Sequence, residues 1–215
     1  MNINKFVSLF AVLFLMQSNA MAIEEPNYEV IEANEDFELR RYQPYLVAEI
    51  DVSGGMNKSA NNAFRVLAGY IFGGNEAAAK MKMTAPVETR AISEKMAMTA
   101  PVTSTKIAGE EQTTVAFVME EKYTMDTLPI PNDKRIRIRE VSERMVAVRR
   151  YSGRWTEAKY RKNEDLLTDA LSKANIETVG EPTLARYNSP FSLPVLRRNE
   201  VMFEIVSSDA AQLIE

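Results

Sequence analysis

The sequence predicts an α+β domain, in which antiparallel strands form a distorted barrel or curved sheet and two helices cover it. A pattern of strand, strand, helix and further strands occurs twice along the chain, which predicts a pseudo-two-fold repeat. Arg40-Arg41-Tyr42 and Arg149-Arg150-Tyr151 end corresponding strands in the two halves. Ligands often bind in the groove between such halves.

The N-terminal 22 residues differ from the rest of the chain. Residues 6–16 are almost entirely apolar, Lys5 is the only charged residue, and Ala20-Met21-Ala22 is an A-x-A cleavage pattern. These features predict a signal peptide at residues 1–22, a single domain at residues 23–215, and a periplasmic or secreted protein. Because the apolar run is short for a membrane span, we expect no stable membrane insertion after cleavage. An uncleaved N-terminal anchor is the alternative.

Composition excludes several classes of function. The 215 residues include neither cysteine nor histidine, which excludes disulfides, thiol catalysis, serine–histidine catalysis and histidine-ligated metals. The net charge of −4 does not favour nucleic acid as a partner. No paired carboxylates, phosphate loop or nucleophile elbow is recognisable. We therefore expect a monomeric protein that is not an enzyme and has no metal site of its own.

The first half of the chain is predicted to contain strands at residues 28–31, 37–42 and 45–52, followed by a helix at residues 58–72. Asn57 or Ser59 is the expected N-cap, and Gly73-Gly74 is the expected C-terminal stop. A core-facing stripe follows the helical period at Ala60, Ala63, Phe64, Leu67 and Ile71.

The opposite side of this helix is polar and carries one small residue. It presents Lys58, Asn62, Arg65 and Gly69. Gly69 allows a ligand, or a neighbouring strand in ordinary packing, to lie close to the helix backbone.

An eight-residue repeat follows the helix. KMKMTAPV at residues 80–87 and KMAMTAPV at residues 95–102 differ at one position. Their alternation predicts two strands, each ending or bending at its proline. The methionine rows are interpreted either as ordinary core packing or as an adaptable apolar ligand surface.

A further strand is predicted at residues 113–119, and the second half then begins with strands at residues 135–141 and 144–151 and a helix at residues 157–174. Thr156 is the expected N-cap and Asn175 the expected stop. A strand near residues 184–187, a proline-rich loop at 188–196, a strand at 200–206 and a frayed tail at 209–215 follow. The alternating Arg135, Arg137 and Arg139 either bind carboxylates or form a solvated strand face.

The sequence resembles the SOUL haem-binding protein family, in an exported bacterial-type form. The resemblance rests on YIFGGN at residues 70–75, on both methionine strings, and on RYNSPFSLPVLRRNEV at residues 186–201, and it extends over about residues 26–206. It implies a distorted β-barrel with two helices, similar to GyrI-like effector-binding domains. It also implies tetrapyrrole binding without catalysis in most members.

The resemblance implies a site beside the first helix. Some members use a histidine axial ligand, which this chain lacks. Others hold the porphyrin on an exposed apolar patch, with basic residues at the propionates. Matching by Gly73-Gly74, with the proline-rich loop facing the patch, implies these site residues: Lys58, Asn62, Arg65, Val66, Gly69, Tyr70, Phe191 and Leu193. Arg65 or Lys58 would pair with a propionate.

The functional expectation is therefore non-enzymatic binding, transport or buffering of haem or a related tetrapyrrole in the periplasm, without a histidine ligand. Any iron ligand would be a tyrosine, methionine or lysine. The alternative is a binding module for another small hydrophobic ligand, or for a protein partner in the cell envelope, because methionine-rich surfaces adapt to many shapes.

Overall fold

A computed structural model describes residues 23–53, 56–78, 93–189 and 191–206, with side chains in the first helix described from Asn61 onward. The elements up to the middle of the chain are β1 (Tyr28–Ala33), β2 (Glu38–Tyr42), β3 (Tyr45–Ser53), α1 (Met56–Ile71), β4 (Asn75–Glu76), β5 (Val102–Lys106) and β6 (Gln112–Val118). The remaining elements are β7 (Ile130–Pro131), β8 (Arg137–Val141), β9 (Arg144–Ser152), α2 (Glu157–Lys173), β10 (Thr178–Arg186), a 3-10 turn (Pro194–Leu196) and β11 (Arg198–Ile205).

Nine strands form one curled antiparallel sheet in the order β1-β2-β9-β11-β10-β5-β6-β3-β8, and β4 pairs separately with β7. The predicted α+β class, with a curved sheet and two helices, is confirmed. The sheet is an open half-barrel, so β1 and β8 are edge strands. The two halves of the sheet join where β10 pairs with β5, from Thr183 opposite Thr105 to Arg186 opposite Val102.

Each helix covers one half of the sheet. Helix α1 packs on β3 and β6, and helix α2 packs on β9 and β11. Leu67 of α1 and Leu167 of α2 are both fully buried, each in its own cluster of apolar side chains. Burial of this apolar surface is the main force that holds each helix on the sheet. Neither helix is long and apolar enough to cross a bilayer.

The helix ends agree with the sequence in three of four places. Helix α1 begins at Met56, so the expected caps Asn57 and Ser59 lie within it and that prediction was wrong. The helix ends at the expected glycines. A Cβ atom on Gly74 would lie 2.8 Å from the carbonyl oxygen of Gly69, which is too close for a side chain. Thr156 caps α2 by accepting a hydrogen bond from the backbone N–H of Lys159, and Asn175 follows the helix with a φ of 57°.

The predicted strand in the second methionine string was wrong except at its last residue. Only Val102 belongs to β5, which continues to Lys106. Before it, the N–H of Met96 donates to the carbonyl of Ile71 and that of Ala100 donates to Glu24, so this stretch pairs with no strand. Met96 is buried under α1, as expected for core packing. The first methionine string, at residues 80–87, and the tail at 209–215 lie outside the described residues.

An N-terminal segment, residues 23–27, crosses between the two halves. The carbonyl of Glu24 accepts the N–H of Ala100, and the carboxylate of Glu25 accepts two hydrogen bonds from Arg198 at 2.9 and 3.0 Å. We call this segment the strap. It closes one end of the groove on the inner face of the sheet, and Pro26 lines that groove.

Candidate functional site

Three cavities of the described structure differ from one another mainly in the charge of the residues that line them. A groove of about 430 Å³ on the inner face of the sheet is lined by charged residues that pair with each other, Arg139 with Glu49 and Arg144 with Glu204. A cavity of about 630 Å³ beside the strap has carboxylates and no Lys or Arg in its lining: Glu24, Glu25, Glu120, Glu121, Asp126 and Glu140. Such a wall repels anions.

The third cavity, of about 270 Å³, lies on the helical side of the sheet and is the one beside α1. Its apolar walls come from Phe64 of α1, Val102 of β5 and Trp155 just before α2. Its polar walls come from Asn61, Arg186, Asn188, Arg197 and Asn199. It contains cations and no carboxylate in its lining, and we call it the seam cavity because Val102 and Arg186 are paired where β10 meets β5.

The outer face of α1 carries most of the helix residues that the sequence singles out. Asn62, Arg65 and Gly69 are exposed at helical spacing, and Val66 is half-buried beside them. Nothing lies within 4 Å of the position a Gly69 Cβ would take, so the space over this glycine is open. Lys58 belongs to the first turn of α1, and its side chain is outside the described set.

Tyr70 is separated from that face. Its side chain is buried in the core under α1, and its hydroxyl donates a hydrogen bond to the carbonyl of Pro129 at 2.6 Å. Burial raises the pKa of the phenol, with a further contribution from the nearby Tyr123 and Glu94. A neutral phenol that is already bonded within the core is poorly suited to ligate iron.

The proline-rich loop exposes a row of large apolar side chains. Phe191 is 94% exposed, and Leu193, Val195 and Leu196 are 65%, 72% and 70% exposed. The two ends of the loop, Asn188 and Arg197, line the seam cavity together with Asn61 and Phe64 of α1. The loop predicted to face α1 is thus connected to it through this cavity.

Arg186 is half-buried, and it differs from three other arginines that are buried or half-buried. Arg40, Arg144 and Arg198 each contact a carboxylate. Within the described part of the chain, Arg186 has no carboxylate partner, and its guanidinium carbon lies 5.2 Å from the centre of the Trp155 ring. Burial lowers the pKa of Arg186, and the Tyr151 phenol only partly opposes this.

Two neighbouring polar groups also lack partners. The indole N–H of Trp155 and the hydroxyl of Tyr151 are buried and have no hydrogen bond within the described part of the chain. Buried polar groups normally have partners, so a water molecule or a ligand atom is expected beside these two groups.

Trp155, Arg186 and Arg197 were missed as site residues by sequence reasoning. One signal was available: Leu184 and Arg186 lie on the same face of β10, and Leu184 is completely buried. An arginine that continues a buried row requires a partner, or leaves a charge for a ligand. Trp155 gave no signal beyond being the only tryptophan.

The described residues contain no group of three or more acidic side chains arranged to hold a metal ion. The sequence contains no histidine or cysteine. What the region beside α1 can offer a ligand is therefore apolar surface, aromatic rings and guanidinium groups.

Comparison with known proteins identifies a family. A model of the SOUL heme-binding protein family matches residues 23–204. That family consists generally of binding proteins rather than enzymes. A comparison with curated proteins finds no match.

Solved structures show the same fold at very low identity. The EcmrR C-terminal domain has a TM-score of 0.58 and 8% identity, over 83% of this chain and 98% of that one. An uncharacterized conserved protein from Listeria innocua has a TM-score of 0.53 and 9% identity, over 80% and 93%. A hydrolase from Listeria innocua has a TM-score of 0.49 and 10% identity, over 81% of this chain and 94% of that one. The fold is that of GyrI-like effector-binding domains.

Proposed function

The chain belongs to the SOUL heme-binding protein family, and on that premise we propose that it binds haem or a related tetrapyrrole, without catalysis, on the surface formed by α1 and the proline-rich loop. The observation that carries this proposal is the row of exposed apolar side chains at Phe191, Leu193, Val195 and Leu196. They lie in a loop whose two ends, Asn188 and Arg197, line the seam cavity. Large apolar side chains grouped in this way on a soluble protein mark an interaction surface.

The residues present fit a tetrapyrrole ring and its carboxylates better than they fit its iron. The ring is flat and apolar, and covering it stabilises the complex by roughly 25 cal/mol per Å² of apolar surface. Phe64 and the loop supply apolar surface, and Arg65 on the outer face of α1 supplies a positive charge for a propionate. The chain has no histidine and Tyr70 is buried, so the contacts in this proposal are made with the ring and its carboxylates and not with the iron.

The location of the protein in the cell is part of the same proposal. The A-x-A pattern at residues 20–22 supports export and cleavage after Ala22, with the tetrapyrrole bound in the periplasm. N-terminal sequencing of the protein from a cell-envelope fraction is expected to begin at Ile23. An intact Met1 would contradict cleavage and favour the anchored alternative.

Titration of the mature chain with haem, followed by absorbance, tests the binding function. Iron-free protoporphyrin IX is titrated in parallel, and we expect both to bind in the micromolar range with similar affinity, since the ring and carboxylates supply the contacts. If neither haem nor protoporphyrin IX binds, the proposal is refuted, and another small hydrophobic ligand or a protein partner is favoured.

Gly69→Trp locates the site. Open space above Gly69 accommodates the new ring, and replacing a glycine within a helix does not cost stability, since glycine is about 1 kcal/mol less favourable there than alanine. We expect at least about tenfold weaker binding of both ligands, equivalent to about 1.4 kcal/mol, because the ring covers the α1 face. Ser172→Trp, on the exposed side of α2, is the matched control. Equal binding by both variants would place the site elsewhere.

A further inference from the structure

We propose that the seam cavity is a receptor for one carboxylate on an apolar or aromatic skeleton, and that Arg186, flanked by Trp155, is the residue that selects it. This deepens the proposed function, because a tetrapyrrole propionate is one ligand of that class. It differs from the pairing with Arg65 or Lys58 on the outer face of α1, and it holds for carboxylates that are not tetrapyrroles.

The first argument is the missing counter-charge. A guanidinium removed from water is stabilised by a carboxylate in most folded proteins, and this fold supplies one to Arg40, Arg144 and Arg198. For Arg40 and Arg198, burial alone would lower the pKa, but the neighbouring carboxylates outweigh it and the pKa is raised. For Arg186 the pKa is lowered, which indicates a positive charge that is desolvated without compensation.

The second argument is the shape and lining of the space beside that charge. Phe64, Val102 and Trp155 make the walls apolar, and Arg186 lies over the Trp155 ring. An arginine held against an aromatic ring keeps its planar fork oriented, and that fork matches a carboxylate in two parallel hydrogen bonds. Asn188 and Asn199 add amide groups to the same lining.

The third argument concerns size and charge. A volume of about 270 Å³ lies just below the range of about 300–1,000 Å³ that is usual for small-molecule pockets, so the cavity accommodates a side arm or a single ring and not a whole tetrapyrrole. The other cation in the lining, Arg197, already donates through its Nε to the carbonyl of Ser192 at 2.9 Å. A single charge is therefore favoured over the double charge of a phosphate.

The experiment uses the only tryptophan as its probe. The ¹⁵N-labelled mature chain gives a single indole N–H resonance, from Trp155, and its shift is followed during titration with 3-phenylpropanoate. The neutral analogue 3-phenylpropanamide and inorganic phosphate are titrated under the same conditions. We expect a saturable shift with the carboxylate, at least about tenfold weaker binding of the amide, as for loss of a hydrogen bond to a charged group, and no saturable shift with phosphate.

Arg186→Met keeps an unbranched apolar chain against Trp155 and removes the charge. We expect at least about tenfold weaker binding of 3-phenylpropanoate and a melting temperature equal to or above that of the wild type, because a half-buried charge without a carboxylate partner has been removed. Arg135→Met, at an exposed arginine in the turn before β8, is the matched control and is expected to bind 3-phenylpropanoate as the wild type does. A lower melting temperature with unchanged binding would assign Arg186 a structural role and overturn the proposal.

Protoporphyrin IX separates this inference from the proposed function. Binding of 3-phenylpropanoate that Arg186→Met leaves unchanged, together with binding of protoporphyrin, would overturn the carboxylate receptor and leave tetrapyrrole binding intact. Binding of 3-phenylpropanoate that depends on Arg186, with no binding of protoporphyrin, would support the receptor and refute the proposed function. Saturable binding of phosphate, or equal binding of acid and amide, would overturn the ligand class.

Discussion

Glu200 is completely buried on β11, and its carboxylate contacts side chains from β2, from β11 itself and from the residue that follows β10. Arg40 of β2 donates two hydrogen bonds to it at 3.0 and 3.1 Å, Arg198 donates one at 2.8 Å, and the Tyr187 hydroxyl donates one at 2.7 Å. Burial alone would raise the pKa of Glu200, but the hydrogen bonds and charges of Arg40 and Arg198 outweigh it, and the pKa is lowered. The carboxylate is therefore ionised in the folded state.

Replacing this carboxylate by an amide is expected to destabilise the fold. Glu200→Gln leaves Arg40, 2% exposed, without its buried counter-charge, and loss of one partner of a buried pair costs roughly 3–5 kcal/mol. Urea unfolding at pH 7 measures the change. Glu38→Gln is the control: Glu38 contacts the same arginine but is 35% exposed, so we expect a change of about 1 kcal/mol or less. Equal effects would contradict a special role for the buried carboxylate.

The same group gives the stability a defined dependence on pH. Because the folded pKa of Glu200 lies below its unfolded value of about 4.5, its contribution is fully present above that pH and is lost as the pH falls through the folded pKa. The difference between wild type and Glu200→Gln in urea unfolding should accordingly narrow below pH 4.5. A difference that stays constant down to pH 3 would show that the charge of Glu200 does not stabilise the fold.

At the scale of single residues, the sequence predicts which side chains are buried better than it predicts which side chains form ion pairs. Ala63, Leu67 and Ile71 are buried in one apolar cluster, as their helical spacing indicates. The ion pairs were not predictable, because the partners are distant in sequence: Arg137 contacts Asp51 and Arg139 contacts Glu49, both on β3. For the same reason, the sequence did not show that Arg186 would have no carboxylate partner within the described part of the chain.

Among the elements, the two helices agree best with the sequence in their positions along the chain, because the signals that end a helix are local. Thr156, Asn175 and Gly74 act on neighbouring backbone groups only. The start of α1 was placed two residues late, since Asn57 and Ser59 are cap residues by type and yet lie inside the helix.

Thr156→Ala tests the cap of α2. The hydroxyl accepts a hydrogen bond from the Lys159 N–H, and removing it is expected to cost about 1 kcal/mol of unfolding free energy, measured by urea denaturation. Thr168→Ala, in the exposed middle of the same helix, removes a hydroxyl that donates to the Glu164 carbonyl, and we expect a change of less than about 0.5 kcal/mol. A cap variant no less stable than this control would contradict the assignment.

The second methionine string shows why strands are harder to predict. Alternation indicates an extended chain with one buried side, and Met96 is indeed buried. Whether such a chain joins a sheet depends on which backbone groups lie beside it, and here those belong to Ile71 and Glu24. Strand β5 instead begins at Val102, with Thr103, Ser104 and Thr105, in a polar stretch that no apolar period marks.

On the scale of the whole molecule, the repeat seen in the sequence corresponds to two helix-covered halves of one continuous sheet. The halves have separate cores and meet at the β10–β5 pairing, and the strap bonds to both. The seam cavity draws residues from both halves, which is why its constellation is absent from any single stretch of sequence: Phe64, Val102, Trp155 and Arg186 are brought together only by the pairing of distant strands.

The open sheet ends in two free edges, and their chemistry has a consequence for self-association. An unpaired edge strand is a template for intermolecular strand addition, the first step towards fibres. Strand β8 has five residues and carries Arg137 and Arg139, each about half exposed, and β1 is interrupted by a register shift between Val30 and Glu32. A second copy adding to β8 would bring arginines close to arginines, and one adding to β1 would meet an irregular edge. The charges that pair with β3 thus also protect the sheet against growth into aggregates.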